Sequence, residues 1–328
     1  MTDASGGTQP FDAAGPGGAA PAPATPAAGR GLLTLAMIAI LALPVGVVVL
    51  YLIQELIHLV WFEFADSVEG PALWAMVIGS TTLAGVLVAV IRHHRNGHDP
   101  LSGLATVPVF LTDYPAVMGA ILVSLIGGLT LGPEVALVTT GSLVGCEIAR
   151  RRGDVEVSKG MMVGILFAVL ALFIEPMLEG TFEVAARYTF TPIDIVGTVG
   201  IALVTAVVLM AGRWVAIGLT KVRGGDTPAV LPMAIFGLAV GLVAVAYHEV
   251  SNNPVSFVLT SGENNVKPLI ALGAASAIGL TIAAKWLAYT LSLGGGFRGG
   301  PYFPALFIGA GVGAIAYDLF PSLSSGSA

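Results

Sequence analysis

Three short stretches of this 328-residue chain join glycine and proline to the start of an apolar segment of helical length. The first is Asn96-Gly97-His98-Asp99-Pro100-Leu101-Ser102-Gly103-Leu104, in which Asp99 is a side-chain cap and Pro100 suits the first helical position. The second is Leu131-Gly132-Pro133-Glu134-Val135-Ala136-Leu137, where Gly132 lets the chain turn, Pro133 starts a helix and Glu134 sits in its first turn. The third runs from Gly294 through Phe297, Arg298, Gly299, Gly300, Pro301, Tyr302, Phe303 and Pro304 to Leu306. Its five glycines and two prolines in eleven residues predict a loop of accessible backbone amides that ends at a helix start. The chemistry common to all three is the binding of an anion. The first turn of a helix leaves N–H groups unpaired and carries positive partial charge, so it attracts an anion without a full cation nearby. Such a site holds an ion strongly enough to admit it and weakly enough to release it, as conduction requires. The candidate anion-binding positions are therefore Gly97, His98 and Asp99, then Gly132, Pro133 and Val135, then Gly299, Gly300, Pro301, Tyr302, Phe303 and Pro304.

Other reactive side chains read less sharply. Glu55 and His58 are three apart, as metal ligands on a helix can be, but there is no second copy and no HExxH, so the pair reads as interfacial. Ser80, Ser124 and Ser142 lie in apolar runs without a histidine mid-span beside them, and the spans hold no paired aspartates; an intramembrane hydrolase is not expected. Cys146, the single cysteine, rules out an intrachain disulfide and reads as a packing residue. Lys285 lies inside Leu280–Leu293, where snorkelling or pairing with an acid is expected. His93 and His94 end a span and should face water, and Glu175 and Glu179 flank a proline, where they could line a vestibule.

The elements that must hold these residues are membrane helices. Hydrophobic residues make up 55% of the chain and charged residues only 10%, far below the roughly 25% of a soluble domain; mean hydropathy is +0.89. The apolar runs lack the alternation of barrel strands. The net charge of −6 and the absence of a basic run give no sign of nucleic-acid binding. Residues 1–29, rich in Ala, Pro and Gly, read as a disordered tail without the basic n-region of a signal peptide. Full or partial spans are expected over Leu32–Val60, Pro71–Ile91, Pro100–Val109, Ala116–Leu131, Val135–Ala149, Met161–Ile174 (broken at Glu175-Pro176), Ile193–Leu219, Leu231–Tyr247, Val255–Leu259, Leu269–Leu293 and Phe303–Ile315. Many are too short to cross the bilayer. Interrupted helices at membrane depth are tolerated where they line a cavity, as in transporters. A short polar tail, residues 321–328, closes the chain.

With these motifs in place the sequence resembles the CLC family of chloride channels and chloride/proton antiporters. Gly132-Pro133-Glu134-Val135-Ala136 resembles the family's G-[RK]-E-G-P signature, Gly299-Gly300-Pro301-Tyr302-Phe303-Pro304 its G-G-x-F-x-P signature, and Asn96–Pro100, more weakly, its G-S-G-I-P signature. Order and spacing fit across residues 30–320. The resemblance implies an all-α polytopic fold of tilted and broken helices in an inverted repeat, with an incomplete second half. It implies a multi-pass protein of the cell membrane, a homodimer with one pathway in each subunit, chloride or a similar small anion as the ion bound and carried, and no cofactor. It implies, further, that Glu134 is the gating glutamate, whose carboxylate competes with chloride, and that Tyr302 and Phe303 offer main-chain N–H groups to the anion.

This chain also departs from the family pattern. Gly97 falls where the family has a pore serine, and Ser102 lies five residues later. Pro133 replaces the basic residue of the second motif, and Val135-Ala136 replaces its Gly-Pro. Ala185 or Ala186 stands where antiporters carry an inner proton-relaying glutamate, with Glu183 two or three positions out of register. The family usually continues past the third motif, so the chain reads as shortened or incomplete. Passive conduction, proton exchange and a non-conducting remnant all follow as readings, the missing inner glutamate favouring the first.

Overall fold

The computed structural model describes residues 28–94, 101, 107–178, 192–225 and 229–320; the N-terminal and C-terminal tails fall almost entirely outside them. The named elements among them are all helical: α1 Ala28–His58, α2 Gly70–His94, α3 Tyr114–Ile126, α4 Glu134–Arg152, α5 Val157–Val169, α6 Ala171–Leu178, α7 Pro192–Arg223, α8 Val230–Ser251, α9 Val266–Ala271, α10 Ala275–Gly295 and α11 Tyr302–Leu319. Single turns at Val255–Phe257 and Glu263–Asn265 link α8 to α9. Among the described residues, seven helical stretches are long and apolar enough to cross a membrane: Gly29–Ser67, Gly70–His93, Val157–Ile174, Ile193–Arg223, Val230–Ser251, Ala275–Gly295 and Tyr302–Leu319. The protein is thus an all-α, multi-pass membrane protein.

The first span shows how sequence sets this architecture. Ile38, Ala42, Gly46, Leu50, Ile53, Ile57, Trp61 and Ala65 recur every three or four residues and are buried, forming one helical stripe. Ile40, Val48, Leu52 and Leu59 on other faces are exposed although apolar, as suits a surface bathed in lipid. The helix passes through Pro44 and continues beyond His58 as a π-helical turn, Leu59–Phe64, and a 3₁₀ turn, Ala65–Ser67.

Lipid tails are as apolar as leucine, so tight contact rather than water exclusion must hold such helices together. Glycines supply that contact. On α4, a Cβ at Gly141 or Gly145 would overlap the carbonyl oxygens of Gly164 and Gly160 on α5; the pairing runs antiparallel. Gly85 of α2 meets Met233 of α8, and Gly237 of α8 meets Thr81 of α2, in the same antiparallel sense.

Two expected boundaries move. The break predicted at Glu175-Pro176 lies instead at Leu170, between α5 and α6, and α6 runs through Pro176. The break is a tightened turn: the Leu170 N–H donates to Leu166 O at 3.2 Å, and the Leu170 carbonyl accepts from Phe173 and Ile174 at 3.0 and 3.3 Å. The run Leu269–Leu293 is two helices, α9 and α10, separated at Gly273, which has φ of +71°. The segment Pro100–Val109 lies mostly outside the described residues; Val107–Val109 are not helical.

Gly145→Ala should therefore push α4 from α5 and lower stability by about 1–3 kcal/mol, seen as a lower midpoint for heat-induced aggregation in detergent. Gly200→Ala on α7, where a Cβ meets nothing within 4 Å, should leave that midpoint unchanged.

Candidate anion site

The second and third glycine-proline boundaries meet in space. Gly132 and Gly300 exchange two backbone hydrogen bonds, N–H to carbonyl in each direction, both 2.7 Å long. This isolated antiparallel bridge joins the starts of α4 and α11. The local plan is the same on both sides: glycine, then a proline at the N-cap (Pro133, φ −78°; Pro301, φ −88°), then the first helical residue, Glu134 or Tyr302. Each proline sits where a helix has no use for its N–H, and its ring fixes φ for the entry.

Glu134 is 3% exposed. Its side chain crosses the bridge to the other helix, where Oε1 accepts the Tyr302 N–H at 2.7 Å. The N–H groups of Glu134 itself and of Phe303 also face the carboxylate. Oε2 has no hydrogen-bond partner among the described residues. The carboxylate thus occupies a seat built from backbone amides of two helix starts, with no salt bridge to a lysine or arginine among the described residues. Gly132 and Gly300 make the room: a Cβ at either position would overlap the Glu134 carboxyl group. Chemically, the arrangement binds one negative charge through backbone dipoles.

Irregular backbone surrounds the seat at membrane depth, and buried side-chain groups satisfy it. Ser292 Oγ of α10 accepts the Thr130 N–H at 3.2 Å, and Thr130 Oγ1 donates to Val258 O at 3.0 Å. Ser124 Oγ of α3 accepts the Arg298 N–H at 3.0 Å. Tyr289 OH of α10 donates to Pro301 O at 3.3 Å, and Arg92 donates to Gly296 O at 2.8 Å. These partners were not legible as site residues. Their only signal in the sequence is a hydroxyl, phenol or cation inside or at the end of an apolar run.

Of the positions named from sequence, Gly132, Pro133, Glu134, Gly299, Gly300, Pro301, Tyr302 and Phe303 come together here. Val135 packs into the hydrophobic core and Pro304 is buried one turn into α11. Pro301 brings no N–H, so on this helix the donors are Tyr302 and Phe303. Gly97, His98 and Asp99, together with Ser102, Glu183, Ala185 and Ala186, lie outside the described residues. So do Glu179 and the side chain of Glu175.

The remaining candidates resolve simply. His58 lies 3.3 Å from Glu63 rather than pairing with Glu55, and among the described residues no three His, Cys, Asp or Glu side chains form a metal-binding group. Cys146 is fully buried, 3.8 Å from Ser142 Oγ. Ser142 donates to Val107 O and accepts the Val109 N–H. Lys285 neither snorkels nor touches an acid; it is fully buried, with Nζ donating to Leu259 O at 3.0 Å and Thr260 O at 3.1 Å.

With this geometry known, comparison with characterised families places the chain. The profile of the voltage gated chloride channel family matches residues 146–328, more than half its length. The chain belongs to this family. The match contains Gly299–Pro304 and begins after Glu134. Among relatives, "Putative ion-transport protein YfeO" of Escherichia coli O139:H28 is 25% identical, over 84% of this chain and 76% of its own length. The protein of the same name from Shigella flexneri matches equally, 25% identical over the same shares. Membership supports transport of an anion across a membrane, carried by the fold just described.

Gly300→Ala would place a methyl group in the carboxylate's seat. Chloride flux from liposomes should fall at least tenfold, the loss expected when about 1.4 kcal/mol or more is removed from the bound ion. Size-exclusion behaviour should be kept; undiminished flux would show that the seat is not on the pathway.

Proposed function

We propose that the protein conducts chloride or a related small anion through each subunit, and that Glu134 is the gate. The observation carrying this reading is the Glu134 carboxylate held by the Tyr302 N–H at the joined starts of α4 and α11. An ionised carboxylate there stands in for a bound anion and closes the site. A proton on Glu134 removes the charge that the amides attract, and chloride competes for the same donors. Flux should therefore rise as pH falls. Passive conduction is the mode we favour over proton exchange, because Ala185 or Ala186 stands where the family's antiporters carry their inner glutamate.

Glu134→Gln keeps the shape and removes the charge. In liposomes fitted with chloride and pH electrodes, this variant should pass chloride with little pH dependence. The wild type should move chloride without driving protons uphill. Glu147→Gln is the control, since Glu147 lies on the same helix but pairs with Arg150 at 2.7 Å and Arg151 at 2.8 Å, away from the seat. Retention of the wild-type pH response by Glu134→Gln would sink the gate assignment. A fixed proton-to-chloride ratio in the wild type would make the protein an antiporter.

We also propose that it works as a homodimer. The seat is built within one chain, so each copy would hold its own pathway. The long helix α7 leaves a broad apolar surface, with Val196, Leu203, Val207 and Trp214 exposed, that a second copy could cover. Mass photometry in detergent should give twice the protomer mass; an active, strictly monomeric particle would refute it.

A further inference from the structure

The starts of α4 and α11 follow one plan but differ in one backbone donor. Each has a proline at the N-cap, Pro133 and Pro301, and the carbonyl of an N-cap residue accepts the first hydrogen bonds of its helix. At α4 it does so fully: Pro133 O accepts the Ala136 N–H at 2.9 Å and the Leu137 N–H at 3.4 Å. The residue of α11 that matches Ala136 is Pro304, which has no N–H to give. At α11 a side chain stands in, for Tyr289 OH of α10 donates to Pro301 O at 3.3 Å. Tyr289 is only 6% exposed, so its phenol must find its partner inside the protein.

The Pro301 carbonyl matters because of what shares its peptide group. The other half of that group is the Tyr302 N–H, which donates to Glu134 Oε1 at 2.7 Å. There is no cis peptide bond among the described residues. A trans peptide is planar, with its C=O and N–H pointing in opposite directions. Anchoring the oxygen therefore aims the hydrogen. A donor on the oxygen also polarises the group and strengthens its N–H. The same helix serves the other side of the bridge, where Ser292 Oγ accepts the Thr130 N–H at 3.2 Å in the loop that leads to Gly132. One helix, α10, thus steadies both halves of the seat.

We propose that Tyr289 is a positioning residue of the anion seat: its hydroxyl replaces the donor that Pro304 cannot supply, and through the Pro301–Tyr302 peptide it aims and strengthens the N–H that holds the anion. This rests on the reading that a small anion takes the place of the Glu134 carboxylate at that N–H. Tyr289 acts through the peptide rather than on the ion. The hydroxyl is the one group the role requires, so Tyr289→Phe isolates it. A backbone donor would serve equally well, as Ala136 does at α4.

The test is the chloride dependence of flux from liposomes, measured in a Glu134→Gln parent so that no carboxylate competes for the N–H. Tyr289→Phe should raise the half-saturating chloride concentration roughly three- to tenfold, the loss of about one neutral hydrogen bond, without lowering the flux at saturating chloride. Tyr247→Phe is the structural control. It removes another buried phenol hydroxyl packed on α10, the one that meets Thr281 Oγ1 at 2.8 Å, and should keep the parent half-saturation. Pro304→Ala returns an N–H to the position matching Ala136, so adding it to Tyr289→Phe should bring half-saturation back toward the parent value. A hydroxyl that served packing alone would not be rescued in this way. Should Tyr289→Phe give no folded protein, recovery of both folding and half-saturation in the double variant supports the replacement, and no recovery overturns it. A rise that Pro304→Ala leaves in place, or that Tyr247→Phe reproduces, overturns it too. If Tyr289→Phe keeps the parent half-saturation while Gly300→Ala cuts the flux, the role of Tyr289 falls and the seat stands. If Gly300→Ala also leaves flux and half-saturation unchanged, the seat itself is not on the pathway.

Discussion

An unpaired backbone N–H cannot be left in the interior of a membrane protein without cost, because no water is at hand to satisfy it. Two helices, α4 and α11, begin inside this molecule and present such groups to each other across the Gly132–Gly300 bridge. The rest of the structure follows from that constraint. Something negative must answer the amides, and Glu134 does so from within the chain. On the proposed gating role, the same need that makes the site stable with Glu134 seated would make it attractive to a small anion once the carboxylate left.

The bridge demands support from the scaffold. The segments 129–132 and 296–301 are neither helix nor sheet, and their amides and carbonyls are met by Ser124, Ser292, Tyr289 and Arg92. These partners project from α2, α3 and α10, so the seat is only as well placed as those helices are packed. Close glycine contacts set that packing: α4 is pressed on α5, and α2 on α8, at distances that a single methyl group would disturb. A contact far from the anion therefore fixes the position of Glu134 at the head of α4.

Burial of Lys285 shows the same economy of polar groups. Its two carbonyl bonds hold the irregular 259–262 turn against α10.

Composition and apolar run length settled that the chain is a helical membrane protein, since burial in lipid leaves few alternatives to a helix. The glycine-proline boundaries also showed where α4 and α11 start and why a first-turn glutamate is chemically notable there, because these are local rules of backbone geometry. The break in the α5–α6 region was misplaced at Pro176, because the turn at Leu170 carries no glycine or proline to mark it, and the Gly273 turn was hidden inside an apolar run. What no local rule carried was the meeting of residues 132 and 300, 168 positions apart, or the reach of Glu134 to the Tyr302 N–H. Nor did the sequence show that Ser124 and Ser292 serve loop amides, or that Lys285 lies fully buried against the 259–262 turn rather than snorkelling. Those facts depend on which helices pack together. That choice is made by shape and hydrogen-bond satisfaction summed over the whole bundle, and only the tertiary structure expresses it.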